Sequence, residues 1–121
     1  MENHSLYTVG MPIDEIDTPA LLLDLDLMEQ NVARMAQFFA TKSAKLRPHT
    51  KTHKVPILAH KQIAAGARGI CCQKLGEAEI MAQGGISDIL VTNEIVGAQK
   101  IRRLTHLANQ CRLAVCVDHP A

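Results

Sequence analysis

Apolar positions along the chain fall into two patterns: short continuous runs, and longer stretches with helical spacing. The first run, Pro19-Ala20-Leu21-Leu22-Leu23-Asp24, predicts a short strand. Asp26 then precedes Glu29 in a capping-box pattern, and Met28, Val32, Met35 and Phe39 recur on one helical face, predicting an amphipathic helix that ends near Lys42. Leu46 to Lys51 reads as a strand, followed by a helix from about Pro56 to Gly66 and a strand over Gly69 to Lys74. Gly76-Glu77-Ala78-Glu79 opens the next helix, with two acids near its positive end, and Gly84-Gly85 closes it. Asp88 to Asn93 predicts a third strand. A helix follows with Ala98, Ile101, Leu104 and Ala108 on one face, and a fourth strand runs from Arg112 to Val117.

The order from Leu46 onward is β-α-β-α-β-α-β, in units of about 20 to 24 residues. Such alternation predicts an α/β protein with parallel strands covered by helices. Lys51, Gln73 with Lys74, Asn93 with Glu94, and Asp118 each end a predicted strand. In a (β/α)8 barrel those ends converge on one mouth, whereas an open sheet binds ligands only at its switch point. Polar residues on four successive strand ends therefore favour the barrel. Four strands are half of one, and a complete barrel takes about 250 residues. The expectation is a barrel incomplete in this chain, either a fragment or a half whose open edges pair with another copy.

Composition narrows the class. The 121 residues allow one domain at most, and 47% apolar content is that of a globular protein. With no Trp, one Tyr and two Phe, the core must be aliphatic, as helices packed on buried strands require. Thirteen Lys and Arg against twelve Asp and Glu leave a net charge of +1, which provides no general field for nucleic acid or an anionic membrane. No signal-peptide or membrane-spanning pattern occurs, so the cytoplasm is the expected location. Cys71, Cys72, Cys111 and Cys116 show neither zinc-type spacing nor a disulfide framework, and reduced structural thiols are expected.

The segment Arg47-Pro48-His49-Thr50-Lys51-Thr52-His53-Lys54 departs from this even balance. Crowding by like charge disfavours the ammonium form of a lysine, and an amine activated in that way can attack a carbonyl carbon. A solvated or phosphate-binding basic patch is the other reading. Alternation puts Lys51 at the strand's end with Arg47 and His49 on the same face, and Lys54 already in the following turn. His49 and His53 mimic a helical metal-binding pair, but a strand-to-helix transition between them spoils that geometry. No residue of this chain is assigned to a metal.

Thr18 to Asp24, Arg47 to Lys54, Gly69-Ile70-Cys71-Cys72-Gln73-Lys74 with Glu77-Ala78-Glu79, and Val91-Thr92-Asn93-Glu94 with Val96-Gly97 together resemble the amino-terminal part of the D-threonine aldolase family. These are pyridoxal-phosphate enzymes of the alanine-racemase-like fold, close to eukaryotic-type D-serine dehydratases. The resemblance implies that Lys51 forms a Schiff base with pyridoxal 5'-phosphate. It also implies cleavage of a D-3-hydroxy amino acid between Cα and Cβ, giving glycine and an aldehyde, with a divalent metal (Mn, Mg or Zn) polarising the hydroxyl. The catalytic base, phosphate-binding loops and metal ligands would come from later parts of the family's chain, beyond Ala121. Residues 1–25 would be a leader strand of a carboxyl-terminal β domain, residues 26–121 the first half of the cofactor-binding barrel, and the full-length protein a homodimer. His49, Gln73 and Asn93 are then expected at the cofactor, with capping or core packing as their alternatives. Arg47 is expected to bind the substrate carboxylate or to brace the strand. Glu77 and Glu79 are expected to be helix-start acids. A metal-dependent D-serine dehydratase and a non-catalytic pyridoxal-phosphate-binding protein are the competing functions.

Overall fold

The computed structural model describes residues 7–119. After a short 3-10 turn at Ile13–Glu15 come helix α1 (Leu25–Ala40), α2 (Pro56–Ala64), strand β1 (Ile70–Cys72), α3 (Leu75–Gln83), β2 (Asp88–Val91), α4 (Ala98–Ala108) and β3 (Arg112–Val115). The strands form one parallel sheet in the order β1-β2-β3, with Cys71, Leu90 and Ala114 in register.

The strand expected over Leu46 to Lys51 is reduced to a single bridge, His49 with Cys71, on the free edge of β1. Pro48 is the reason. Its carbonyl accepts from Cys71 N at 2.7 Å, but it has no N–H to carry the ladder back towards residue 69. The run Ala20 to Leu23 forms no strand among the described residues, because a strand exists only by pairing and none of them pairs with it. Instead Asp24 caps α1, its Oδ1 accepting from Leu27 N at 2.9 Å. Asp26, the expected cap, lies in the first helical turn. The earlier aspartate wins because its backbone is extended (φ −74°, ψ 109°), as a cap requires.

Strand alternation sorts the aliphatic residues. One face of the sheet carries Ile70, Cys72, Ile89 and Val91, which pack on Ala59 of α2, on Leu75, Ala78 and Met81 of α3, on Ile86 and on Leu107 of α4. Each large side chain buried there contributes about 1.5–3 kcal/mol. On α4 it is Leu107 that is buried, with Leu104 partly buried beside it, while Ile101 stays half exposed. The inward stripe is thus rotated from the expected face, because Leu104 and Leu107 form the row that meets the sheet. Helices α2 and α3 approach so closely that a Cβ on Gly84 would lie 2.5 Å from Pro56 Cβ.

Helix α1 stands apart from this core. None of its residues is buried, and Glu29 Oε1 ties it to Lys61 Nζ of α2 at 2.6 Å. Between its apolar face and Leu46, Pro48 and Ala67 runs a groove of about 850 Å3. Among the described residues no helix is long and apolar enough to cross a membrane.

Candidate functional site

The basic segment becomes a tight turn at the carboxyl end of the bridged residue His49. Thr50 is fully buried and is joined twice to Cys71 O, through its backbone N–H at 2.8 Å and its hydroxyl at 3.0 Å. Four residues on, Lys54 N donates to Thr50 O at 2.8 Å, and a left-handed Lys54 (φ +55°) turns the chain into α2. Lys51 rides on this anchored turn, exposed, and among the described residues its Nζ makes no hydrogen bond or ion pair. Lys54 Nζ instead lies 3.6 Å from Glu77 Oε1. The two lysines, close rivals in the sequence, thus have different surroundings.

His49 is held at both ring nitrogens. Its Nδ1 accepts from Lys51 N at 3.2 Å, and its Nε2 lies 3.0 Å from Thr92 Oγ1, so the ring reaches across β1 to the end of β2. The Thr92 hydroxyl in turn donates to Cys72 O at 3.2 Å. Thr92 was not singled out from the sequence. Parity alone does not single it out, because its place opposite His49 depends on register: it lies two residues beyond Leu90, which is in register with the residue His49 pairs with.

Gln73 directly follows β1, and Asn93 lies two residues past the end of β2, both strands being shorter than expected. The Gln73 backbone N–H donates to Glu77 Oε2 at 2.9 Å and Lys74 N to the same oxygen at 3.3 Å, so Glu77 closes the start of α3. Asn93 Oδ1 accepts from Glu94 N at 3.0 Å, a bond local to the loop. Arg47 lies two residues below His49, at the amino-terminal end of the strands. Its guanidinium pairs with Asp88 Oδ1 at 2.8 Å and donates to the Asp88 carbonyl at 3.3 Å. Of the two roles expected for it, this geometry is that of the brace, with the group engaged away from Lys51.

His53 is not brought to His49. Its Nδ1 accepts from Val55 N at 3.0 Å, and burial lowers the pKa of the ring from its ordinary 6.5. Among the described residues no group of three or more His, Cys, Asp or Glu is placed to hold a metal ion. Burial raises the thiol pKa values of Cys71, Cys72 and Cys111, and all four cysteines are unpaired thiols.

Parallel strands alternating with helices in unbroken order are those of an α/β protein, here the opening part of a (β/α)8 barrel. Residues 23–121 match the model of the alanine racemase N-terminal domain, and the chain belongs to that family. It is 46% identical over 110 residues to the D-threonine aldolase of Arthrobacter sp, an alignment covering 91% of this chain and 29% of that protein. The crystal structure of D-threonine aldolase from Filomicrobium marinum superposes with a TM-score of 0.90 at 49% identity, covering 93% of this chain and 31% of that one. D-threo-3-hydroxyaspartate dehydratase from Delftia sp. HT23 superposes with a TM-score of 0.77 at 39% identity, covering 85% and 27%. The chain thus spans about three tenths of the length of these relatives, and its α/β architecture is that of the amino-terminal part of their barrel.

Proposed function

We propose that this chain is the lysine-bearing amino-terminal portion of a pyridoxal-phosphate-dependent lyase that cleaves D-3-hydroxy amino acids to glycine and an aldehyde. The observation that carries the reading is the contrast between Lys51, unengaged on an anchored turn at the mouth, and Lys54, turned towards Glu77. A free amine on a fixed turn is the donor that a cofactor aldehyde requires, so the residues present fit the group. Bound there, the cofactor supplies an electron sink for the bond broken at Cα.

The chain's own residues then have distinct roles. Lys51 holds the cofactor, and the two hydrogen bonds from Thr50 to Cys71 O fix the turn that aims it. His49, with both nitrogens engaged, forms a positioned wall beside Lys51 rather than a proton carrier. Gln73 and Asn93 border the mouth from β1 and β2, within reach of a polar edge of cofactor or substrate. Arg47 braces the lower end of the sheet. A divalent metal would take its ligands from other parts of a longer polypeptide. In the same reading residues 1–25 lead in from a separate β domain, residues 26–121 form the first half-barrel, and the longer protein works as a cytoplasmic homodimer.

Cleavage is favoured over dehydration because identity to the aldolases, at 46% and 49%, exceeds the 39% to the dehydratase. The protein expressed from its native gene should release glycine with acetaldehyde from D-threonine, or with glyoxylate from D-3-hydroxyaspartate. Oxaloacetate and ammonia from the latter substrate, without glycine, would mark a dehydratase. Borohydride reduction with pyridoxal phosphate should label the peptide containing Lys51; label on Lys54, or none, would overturn the assignment.

A further inference from the structure

We propose that Thr92 is a positioning residue that fixes the tautomer and orientation of His49 and, through it, the backbone that carries Lys51. The inference rests on the reading of Lys51 as the cofactor-holding residue. Its basis is a hydrogen-bond chain whose direction is set from both ends. At one end the Lys51 N–H can only donate, so His49 Nδ1, 3.2 Å away, must be the unprotonated nitrogen. At the other end the Cys72 carbonyl can only accept, so the Thr92 hydroxyl proton, 3.2 Å away, points to it. Thr92 Oγ1 is left with lone pairs for His49 Nε2 at 3.0 Å, and Nε2 must carry the ring proton. Both ends therefore require the same neutral Nε2–H form.

The chain spans three neighbouring lines of the sheet, from the segment before Lys51, over β1, to the end of β2. It joins residues 43 apart in sequence. The Cys72 carbonyl also accepts the Thr92 backbone N–H at 2.9 Å, so the hydroxyl is held on a fixed piece of ladder rather than on a loop. A threonine here does what a valine of the same shape cannot: it gives the imidazole an acceptor. Without it only the 3.2 Å bond from the Lys51 amide holds the ring; once the ring turns about Cβ–Cγ that bond breaks, both tautomers become open to it, and the wall beside the lysine loosens.

The test uses the protein expressed from its native gene, with labelled imidazole nitrogens read by NMR in the absence of cofactor, and pyridoxal-phosphate affinity measured separately. His49 should be protonated at Nε2 and not at Nδ1. In Thr92→Val the single tautomer should give way to a mixture, and cofactor affinity should fall by about threefold to tenfold, the worth of one hydrogen bond. Thr92→Ser should restore both. An Nδ1–H ring in the unsubstituted protein would overturn the proposal even if Thr92→Val failed to fold. So would a Thr92→Val protein with unchanged tautomer and affinity, or a serine variant that behaves like valine. Absence of borohydride label at Lys51 would instead overturn the cofactor-positioning half, while the tautomer is still read directly.

Discussion

Arg47 and Asp88 meet at 2.8 Å across the line of β1, with Gly69 lying directly under the guanidinium. A Cβ at position 69 would lie 2.4 Å from the Asp88 carbonyl oxygen and 2.6 Å from Arg47 Nη1. The glycine is thus the space through which the ion pair forms. Gly69→Ala should destabilise the fold by about 1–3 kcal/mol, the usual cost of overpacking. Asp88→Asn should cost about 1.5–3 kcal/mol, since it weakens a charge-assisted pair that is four-fifths buried on both sides. Arg68 and Arg112, each 3.9 Å from Asp88 Oδ2 and largely exposed, add little. Urea denaturation measures both variants. A Gly69→Ala protein as stable as the parent would refute the packing argument.

Glu77 connects the turn that carries Lys51 to the start of α3. One carboxylate oxygen accepts from Gln73 N and Lys74 N, and the other lies 3.6 Å from Lys54 Nζ. The first interaction caps a helix start and is worth about 1 kcal/mol. The second involves a lysine side chain that is 63% exposed and is screened by solvent. Glu77→Ala should therefore lose about 1 kcal/mol, while Lys54→Met should stay within about 0.5 kcal/mol of the parent. Equal losses in the two variants would show that the ion pair, not the cap, matters.

The order of elements was legible because the aliphatic runs and helical stripes belong to different periods, and parallel strands buried on both sides leave continuous runs such as Ile70-Cys71-Cys72. The different placement of Lys51 and Lys54 was legible for a related reason: the first falls early in the turn and the second at its end. Parity fixes a face but not a height, and Arg47, on the same face as His49, proved to lie at the opposite end of the strand from Lys51. The partnership of His49 with Thr92 was beyond a linear reading, since it depends on the register between segments 43 residues apart. The first strand was over-read because Pro48 removes a donor without interrupting the apolar pattern.

The four thiols should separate cleanly on alkylation. The thiolate is the reactive form, and burial raises the pKa of Cys71, Cys72 and Cys111. The Arg47 charge offsets only part of this at Cys71. Cys116, beyond the end of β3, is exposed. Under native conditions Cys116 should be modified first, Cys111 next, and Cys71 and Cys72 only when the sheet opens. Mass spectrometry of alkylated peptides over time reads this order directly. Modification of Cys72 as fast as Cys116 would contradict the packing of β1 against the helices.

His53 makes stability depend on pH in a window separate from that of the carboxylates. Burial lowers its pKa below the ordinary 6.5, and the nearby Gln62 side chain opposes this only in part; neither His53 Nε2 nor Gln62 Oε1 has a well-formed hydrogen bond among the described residues. Between the folded and unfolded pKa values the unfolded chain binds the extra proton, so stability rises with pH in that interval. The contribution is present above 6.5 and is lost as pH falls through the folded value. Glu79, whose pKa is lowered from 4.5 chiefly by its hydrogen bond from Arg103, contributes stability that fades only at lower pH. Comparing urea midpoints at about pH 7.5 and about pH 5.5 therefore isolates the histidine from that carboxylate. His53→Gln should lose less stability over this interval than the parent. An identical loss in the two proteins would mean that the ring protonates as readily in the folded chain as in the unfolded one.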